Sequence, residues 1–329
     1  MGGTEMFTRE NILYHAKKAQ APQELEKQLE QYLAFVEETP ELLYALKQRY
    51  ETLFCNPNPI FPIRSVGDMT PPGISESVYP GLFDTTIYLA AAGHFSDYVA
   101  RNGIDTPQLD LVDTYYKNLR RFMQMNYVRD NTYALVRHGY FLYGYALPFS
   151  LRIGRLAYEL RLYSSSKYSV CEDSSGNRTF VKAGEEISSH LTSIIASGEP
   201  YVTIHIPGEG RLDEQAVAQS LEIAPPILRK VFEKYHPRYI MCDSWLLSPQ
   251  LREFIRPTSN IAKFQNMFDI IRGDAQANAI YDNIFKIPLC PIEEIVPQND
   301  FQKSILRICK RDGAIYNGIG ILKKEYCKL

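Results

Sequence analysis

Over about the first 150 residues the apolar positions recur every three or four residues, the period of helices with one buried face. Leu25, Leu29, Tyr32, Leu33 and Val36 form one such stripe, opened by Ala21-Pro22. Thr39-Pro40 repeats a start signal, a hydroxyl cap followed by proline in the first turn, and Leu42, Leu43, Leu46, Tyr50 and Leu53 make the next buried face. From Asn56 to Gly73 prolines end the pattern, which predicts an irregular loop. The helical period returns from Leu82 to Tyr98 and stops near Asn102-Gly103. Thr106-Pro107 caps a further helix with Leu111, Val112, Tyr115, Leu119 and Phe122 inward. Tyr133 to Leu147 predicts one more, weakened by Gly139 and Gly144.

Near Leu151 the period changes. Leu156 to Tyr163 alternates as a strand, Ser164 to Asn177 reads as a polar connection, and Thr179 to Lys182 as a short return strand. Tyr201 to Ile206 is rich in β-branched residues and bounded by Gly198 and Pro207, the clearest strand signal in the chain. Asp213 then caps a helix towards Tyr235, which Pro225-Pro226 should kink or restart, because proline lacks the N–H donor and clashes with the preceding turn. Tyr239 to Leu247 reads as a strand, Pro249 to Ile255 as a short helix, Ile261 to Ile271 as a strand and Ser304 to Lys310 as helical. Strand, helix, strand in this order predicts parallel pairing. The boundary falls near residue 150, giving an α+β chain: a helical region 1–150 and a sheet region 151–329.

Composition removes several function classes. The 329 residues are 45% hydrophobic and 22% charged, enough for a sizeable core, and the formal net charge of -2 provides no global field for nucleic acid. No apolar run approaches the ~18 residues that span a bilayer. Met1 to Met6 lacks the basic and apolar regions of a signal peptide, so the expected location is cytoplasmic. The six cysteines are dispersed without a C-x-x-C pair, which argues against a paired-cysteine zinc site and for reduced thiols. P-loop, H-E-x-x-H and G-x-S-x-G patterns are absent. His94 and His138, on aromatic-rich helical stretches, read as core or surface histidines rather than metal ligands.

The sharpest local feature is Tyr201-Val-Thr-Ile-His205-Ile206-Pro207-Gly208-Glu209-Gly210-Arg211-Leu212-Asp213, a strand, a glycine loop and a helix start. Such a junction turns backbone N–H groups and a positive helix end towards phosphate oxygens. The plain alternative is an ordinary strand-to-helix turn, and Asp213, as a carboxylate cap, would itself fill part of an anion site.

Several separated stretches, in order, resemble a bacterial acyltransferase-like family with a helical N-terminal domain and a GNAT-like C-terminal domain. They are Ile153-Gly-Arg155-Leu-Ala-Tyr158-Glu159, the His205 to Leu212 loop, Ser220-Leu221, Cys242-Asp-Ser-Trp245 through Leu251, Ser259-Asn-Ile261 with Phe264 and Phe268, Phe301-Gln302, and Gly313 through Gly320. The resemblance implies an acyl-CoA donor, acetyl-CoA or another, held where two parallel strands splay apart. It assigns the cofactor loop to Ile206, Gly208, Glu209, Gly210, Arg211 and Leu212. Two departures stand out: His205 occupies the place of the family's Gln or Arg, and Glu209 sets a carboxylate beside the pyrophosphate.

Alternation along the strand puts Thr203 and His205 on one face. An imidazole, ordinarily near about 6.5 in pKa, suits proton abstraction from an amine, so His205 is a candidate base, or else it hydrogen-bonds structurally. Asp243, on the second splayed strand, is the other candidate base. Cys242 reads as a buried thiol and Trp245 as a core anchor or an acyl-pocket wall. The expected function is transfer of an acyl group from acyl-CoA to a small-molecule or peptide amine, by direct attack on the thioester and without a metal. The alternatives are a catalytically degenerate fold of the same family that binds a ligand or protein, and a scaffold whose helical region assembles a homo-oligomer.

Overall fold

The computed structural model describes residues 7–55, 79, 81–104, 110–133, 135, 139–208, 210–275 and 280–329. They form two compact units, Met1–Arg152 and Ile153–Leu329. The loop read at Asn56 to Gly73, the Thr106-Pro107 start, His138 and Glu209 lie outside the described residues.

The first unit is helical: α1 (Arg9–Lys18), α2 (Gln23–Glu37), α3 (Pro40–Tyr50), α4 (Leu82–Asn102), α5 (Leu111–Asp130) and α6 (Gly139–Ala146). In α2 the buried residues are Leu25, Leu29, Tyr32, Leu33 and Val36, the five positions of the stripe. Each of the three leucines and Val36 contributes about 1.5–3 kcal/mol by leaving water. Along α4 every residue from Leu82 to Ala92 is buried, as in a helix enclosed by its neighbours. The N-cap of α5 is Asp110, whose carboxylate accepts from Asp113 N at 3.4 Å. Packing of α1 brings His15 against Gly93 of α4, where an added Cβ would stand 3.2 Å from His15 Nε2. His15 Nδ1 also pairs with the Tyr116 hydroxyl at 2.8 Å.

Strand β1 (Ser150–Ile153) spans the boundary, and the second unit is built on β2 (Leu156–Leu162), β3 (Tyr168–Asp173), β4 (Arg178–Lys182), β5 (Leu191–Ser193), β6 (Pro200–His205), β7 (Ile240–Ser244), β8 (Phe268–Ala275) and β9 (Tyr316–Leu322). Its helices are α7 (Glu214–Val231), α8 (Asn260–Asn266) and α9 (Asp300–Asp312). Six strands run in the order β1-β2-β6-β7-β9-β8, and β4-β3-β5 form a second sheet. The β6–α7–β7 crossover is parallel, while β2–β6, β7–β9 and β8–β9 are antiparallel. A helical region followed by a mixed sheet is the α+β class expected from the sequence.

Four local expectations are corrected. Ser164 to Asn177 contains β3, whose hairpin to β4 turns on Asp173, with one carboxylate oxygen accepting from Ser175 N and Asn177 N at 2.9 Å each. Ile261 to Ile271 divides into α8 and the start of β8, because Ser259 caps Ala262 N at 3.2 Å and nucleates a turn. The Tyr239 strand ends at Ser244, whose hydroxyl accepts from Leu246 N at 3.2 Å and starts a 3₁₀ turn over Trp245–Leu247. Helix α7 runs through Pro225 and Pro226 without a break, held by a buried row of Val217, Ser220, Leu221, Ala224, Pro225 and Leu228. Here tertiary burial outweighs the two missing donors.

Ser220 fixes α7 to the sheet. Its fully buried hydroxyl donates to Ile153 O, accepts from Leu156 N at 3.3 Å and meets the Tyr158 hydroxyl at 3.0 Å. The opposite face of the sheet carries Met241 and Ile321, which pack with Tyr163, Val170 and Ile195 beneath the smaller sheet.

Candidate active site

Parallel pairing of β6 with β7 is confined to Val202–Ile240 and Thr203–Met241. Beyond it β6 continues to His205 and β7 to Ser244, so the strands diverge at their C-terminal ends. In open sheets a cleft at that end of a parallel pair is where ligands enter, since loops and helix starts converge there. His205 and Asp243 occupy matching positions, two residues past Thr203 and Met241, and strand alternation puts both on the same face.

That face is polar. The antiparallel register sets Glu159 opposite Thr203 and Ala157 opposite His205. Glu159, 3% exposed, accepts from Arg161 through both oxygens, Nε to Oε1 at 3.0 Å and Nη2 to Oε2 at 3.1 Å, and its Oε2 also meets His205 Nε2. Burial alone would raise this carboxyl; the bonds from His205 and Arg161, and their charge, override it and push the pKa down to about 2. Glu159 is therefore a permanent anion behind the imidazole.

Asp243 has different surroundings. Asn317 Nδ2 donates to its Oδ1 at 2.6 Å. Its carboxyl is held above the ordinary aspartate value, first by the protein that displaces water around it and then by the charge of Asp274, against the Asn317 bond and the cations Arg161 and Lys167. One side of Asp243 remains open to solvent, which limits that upward push.

The loop after β6 is anchored from below. Arg155, in the β1–β2 turn, donates from Nε to Arg211 O at 2.9 Å and from Nη2 to Gly210 O at 3.3 Å. With these carbonyls drawn to the guanidinium, the loop carries a fixed positive charge beside its glycine. Gly210 has φ +74, a left-handed conformation that side chains disfavour, and no atom within 4 Å of an added Cβ. Gly208, Gly210 and Arg211 are exposed, and Ile206 and Leu212 are half-buried at the loop ends. Asp213 accepts from Gln215 N at 3.0 Å and Ala216 N at 3.2 Å, so the first turn of α7 is already capped by a carboxylate. An anion here is left the loop amides and Arg155 rather than the helix terminus.

Trp245 lies in the 3₁₀ turn that follows β7, half-buried against the cluster of Leu251, Ile305 and Ile315, with its ring 6.3 Å from Phe301. Two features seat this turn. Gln265, fully buried, donates to Leu246 O at 2.9 Å and Ser248 O at 3.1 Å. Gly318 and Gly320 of β9 leave room beneath Leu247. Cys242 is buried, and burial with the Asp243 charge holds its thiol far above the ordinary range, which removes it as a nucleophile. Among the described residues no group of three or more His, Cys, Asp or Glu is placed to hold a metal ion, and no helix is long and apolar enough to cross a membrane.

The structure thus brings His205 and Asp243 to one face at the mouth of the splay and the glycine loop directly after it. Sequence reasoning missed Glu159, Arg161, Arg155 and Asn317 as members of the site. The one available signal was Glu-x-Arg within a strand of otherwise buried residues, which puts the two charges on one face.

The family model of the GNAT-like C-terminal domain matches residues 151–322, just over half of the chain. No curated protein matches it. Among solved structures, an acyltransferase in complex with CoA and 10C-teicoplanin aligns with a TM-score of 0.66 at 16% identity, covering 94% of this chain and 86% of that one. An acyltransferase in complex with decanoyl-CoA aligns at 0.66 and 18%, covering 93% and 85%. A mutant acyltransferase in complex with octanoyl-CoA aligns at 0.66 and 16%, covering 94% and 86%. At these identities the likeness is one of fold. With its diverging parallel strands, its glycine loop and the match over 151–322, the chain belongs to the family of the GNAT-like C-terminal domain.

Proposed function

We propose that the protein is an acyl-CoA-dependent N-acyltransferase in which an amine attacks the thioester directly. The observation that carries this reading is the end of β6–β7 pairing at Thr203–Met241, with His205 and Asp243 on one face of the gap and the glycine loop above it. The CoA pyrophosphate would lie on the 206–212 loop, neutralised by Arg155 and Arg211, with the thioester between the diverging strands. His205 takes the proton as the amine nitrogen bonds to the carbonyl carbon, backbone N–H groups of the splayed strands stabilise the oxyanion, and CoA leaves as the thiolate. The similar acyltransferases crystallised with octanoyl-CoA and decanoyl-CoA make a medium-chain thioester the donor to try beside acetyl-CoA. The 10C-teicoplanin in the complex with CoA supports a small-molecule or peptide acceptor.

A second reading, a ligand-binding module without turnover, rests on Asp213 capping α7 where an anion would otherwise sit. Titration calorimetry with acetyl-CoA and decanoyl-CoA, followed by thiol release in the presence of an amine panel, separates the two. Saturable binding that Gly210→Val weakens at least tenfold, with amine-dependent thiol release, supports the transferase. Binding without release supports the module, and no heat with either ester at millimolar concentration sinks the transferase and leaves a module that binds another ligand or a protein.

A further inference from the structure

The buried anion behind His205 has a consequence for which ring nitrogen does chemistry. Glu159 Oε2 meets His205 Nε2, and Glu159 is in turn gripped through both oxygens by Arg161, which can only donate. Ionised carboxylates only accept, so Nε2 must carry a proton in this pair and the imidazole lone pair falls on Nδ1. The charged and titratable groups of this unit that act on the pair include Arg161 on β2, Tyr201 on β6 and Asp243 on β7, the latter two coupled electrostatically to Arg161. We propose that Glu159 is a positioning residue that holds the His205 proton on Nε2, so that Nδ1 is the atom that accepts the proton of the attacking amine. The inference rests on the acyltransferase reading for its use of Nδ1, but not for the tautomer. In the step, the nitrogen lone pair forms the N–C bond, the C–S bond breaks with its electron pair on sulfur, and the nitrogen's proton passes to Nδ1. The resulting imidazolium is paired with Glu159 until the proton leaves to the thiolate.

Arg161 makes the isosteric variant informative. In Glu159→Gln the guanidinium retains the amide oxygen, which turns the NH₂ group towards His205 and requires Nε2 to accept. The tautomer should reverse. The test is ¹⁵N and ¹³C NMR of the histidine-labelled full chain, recorded as a series of rising pH until the His205 signals stop moving, with the His205 signal assigned by its loss in His205→Asn. The expected result is a proton on Nε2 in the unmodified protein and in Glu159→Asp, and on Nδ1 in Glu159→Gln. Decanoyl-CoA turnover should fall by about 10²–10⁴-fold in Glu159→Gln, with its binding unchanged and partial recovery in Glu159→Asp. A proton on Nδ1 in the unmodified protein, or no change of tautomer in Glu159→Gln, overturns the proposal without touching the transferase reading. A His205→Asn protein that transfers at the full rate overturns the base reading and leaves the tautomer result standing.

Discussion

His205 and Asp243 stand at equivalent positions on two diverging strands, yet their partners differ. His205 is hydrogen-bonded to a buried carboxylate that orients its ring, whereas Asp243 is bonded to a neutral amide and crowded by Asp274. A base that must gain and then shed a proton within one turnover is better served by the first arrangement. His205→Asn should therefore cut acyl transfer by about 10²–10⁴-fold at unchanged donor affinity. Asp243→Asn keeps the size of the side chain and loses only its charge, so it should raise KM for a cationic acceptor more than it lowers kcat. Steady-state kinetics on both variants decides; equal loss of kcat in the two would move the proton to Asp243. The face of His205 was legible in the sequence, because a strand's two-residue period fixes it, whereas Asp243 was named from the family resemblance alone. Glu159 was not legible, since it lies 46 residues from His205 and only the β2–β6 register brings them together.

Helices with a clean apolar row, such as α2, could be read from spacing alone, because their burial depends only on the helix period. The turns around the cleft could not, since they depend on space left by a distant strand. Gly318 is the clearest case. A Cβ there would stand 2.0 Å from Leu247 O and 2.7 Å from Leu247 Cβ, a clash with backbone that no side-chain rotation relieves. Gly318→Ala should cost about 1–3 kcal/mol or more and displace the Trp245–Leu247 turn, which a shift in Trp245 emission will report. Gly210→Ala meets no atom and suffers only its φ, about 1 kcal/mol of local strain. Chemical denaturation of the two variants should therefore show a larger loss for Gly318→Ala, while Gly210→Ala shows the larger loss of donor affinity. Reversal of that order would mean that the loop, not β9, supports the unit.

The two units carry different acid sensitivities. In the helical unit His15 is 5% exposed, and burial lowers its pKa from 6.5 to about 4. The unfolded chain binds this proton near pH 6.5 and the folded one only near 4, so stability is full above 6.5 and is lost as pH falls between these values. From pH 6.5 to 5 the loss is on the order of 2 kcal/mol. His94 in the same unit is shifted the same way by burial, and adds to it. In the second unit the buried Glu159 works lower, because its pKa falls from 4.5 to about 2 and its contribution disappears only as pH drops through that interval. Asp243 and Asp269, with raised pKa values, gain protons more readily folded than unfolded and oppose acid unfolding. Two spectroscopic probes separate the units. Six of the nine α-helices among the described residues lie in the first unit, so far-UV dichroism weights it, and the single tryptophan, Trp245, reports the second. Thermal melts followed by both should shift apart from pH 6.5 to 5, the helical signal moving down in temperature while Trp245 emission holds. His15→Gln should remove most of that separation. Melts that fall together at every pH, or a separation that survives His15→Gln, would show that His15 does not govern the acid response.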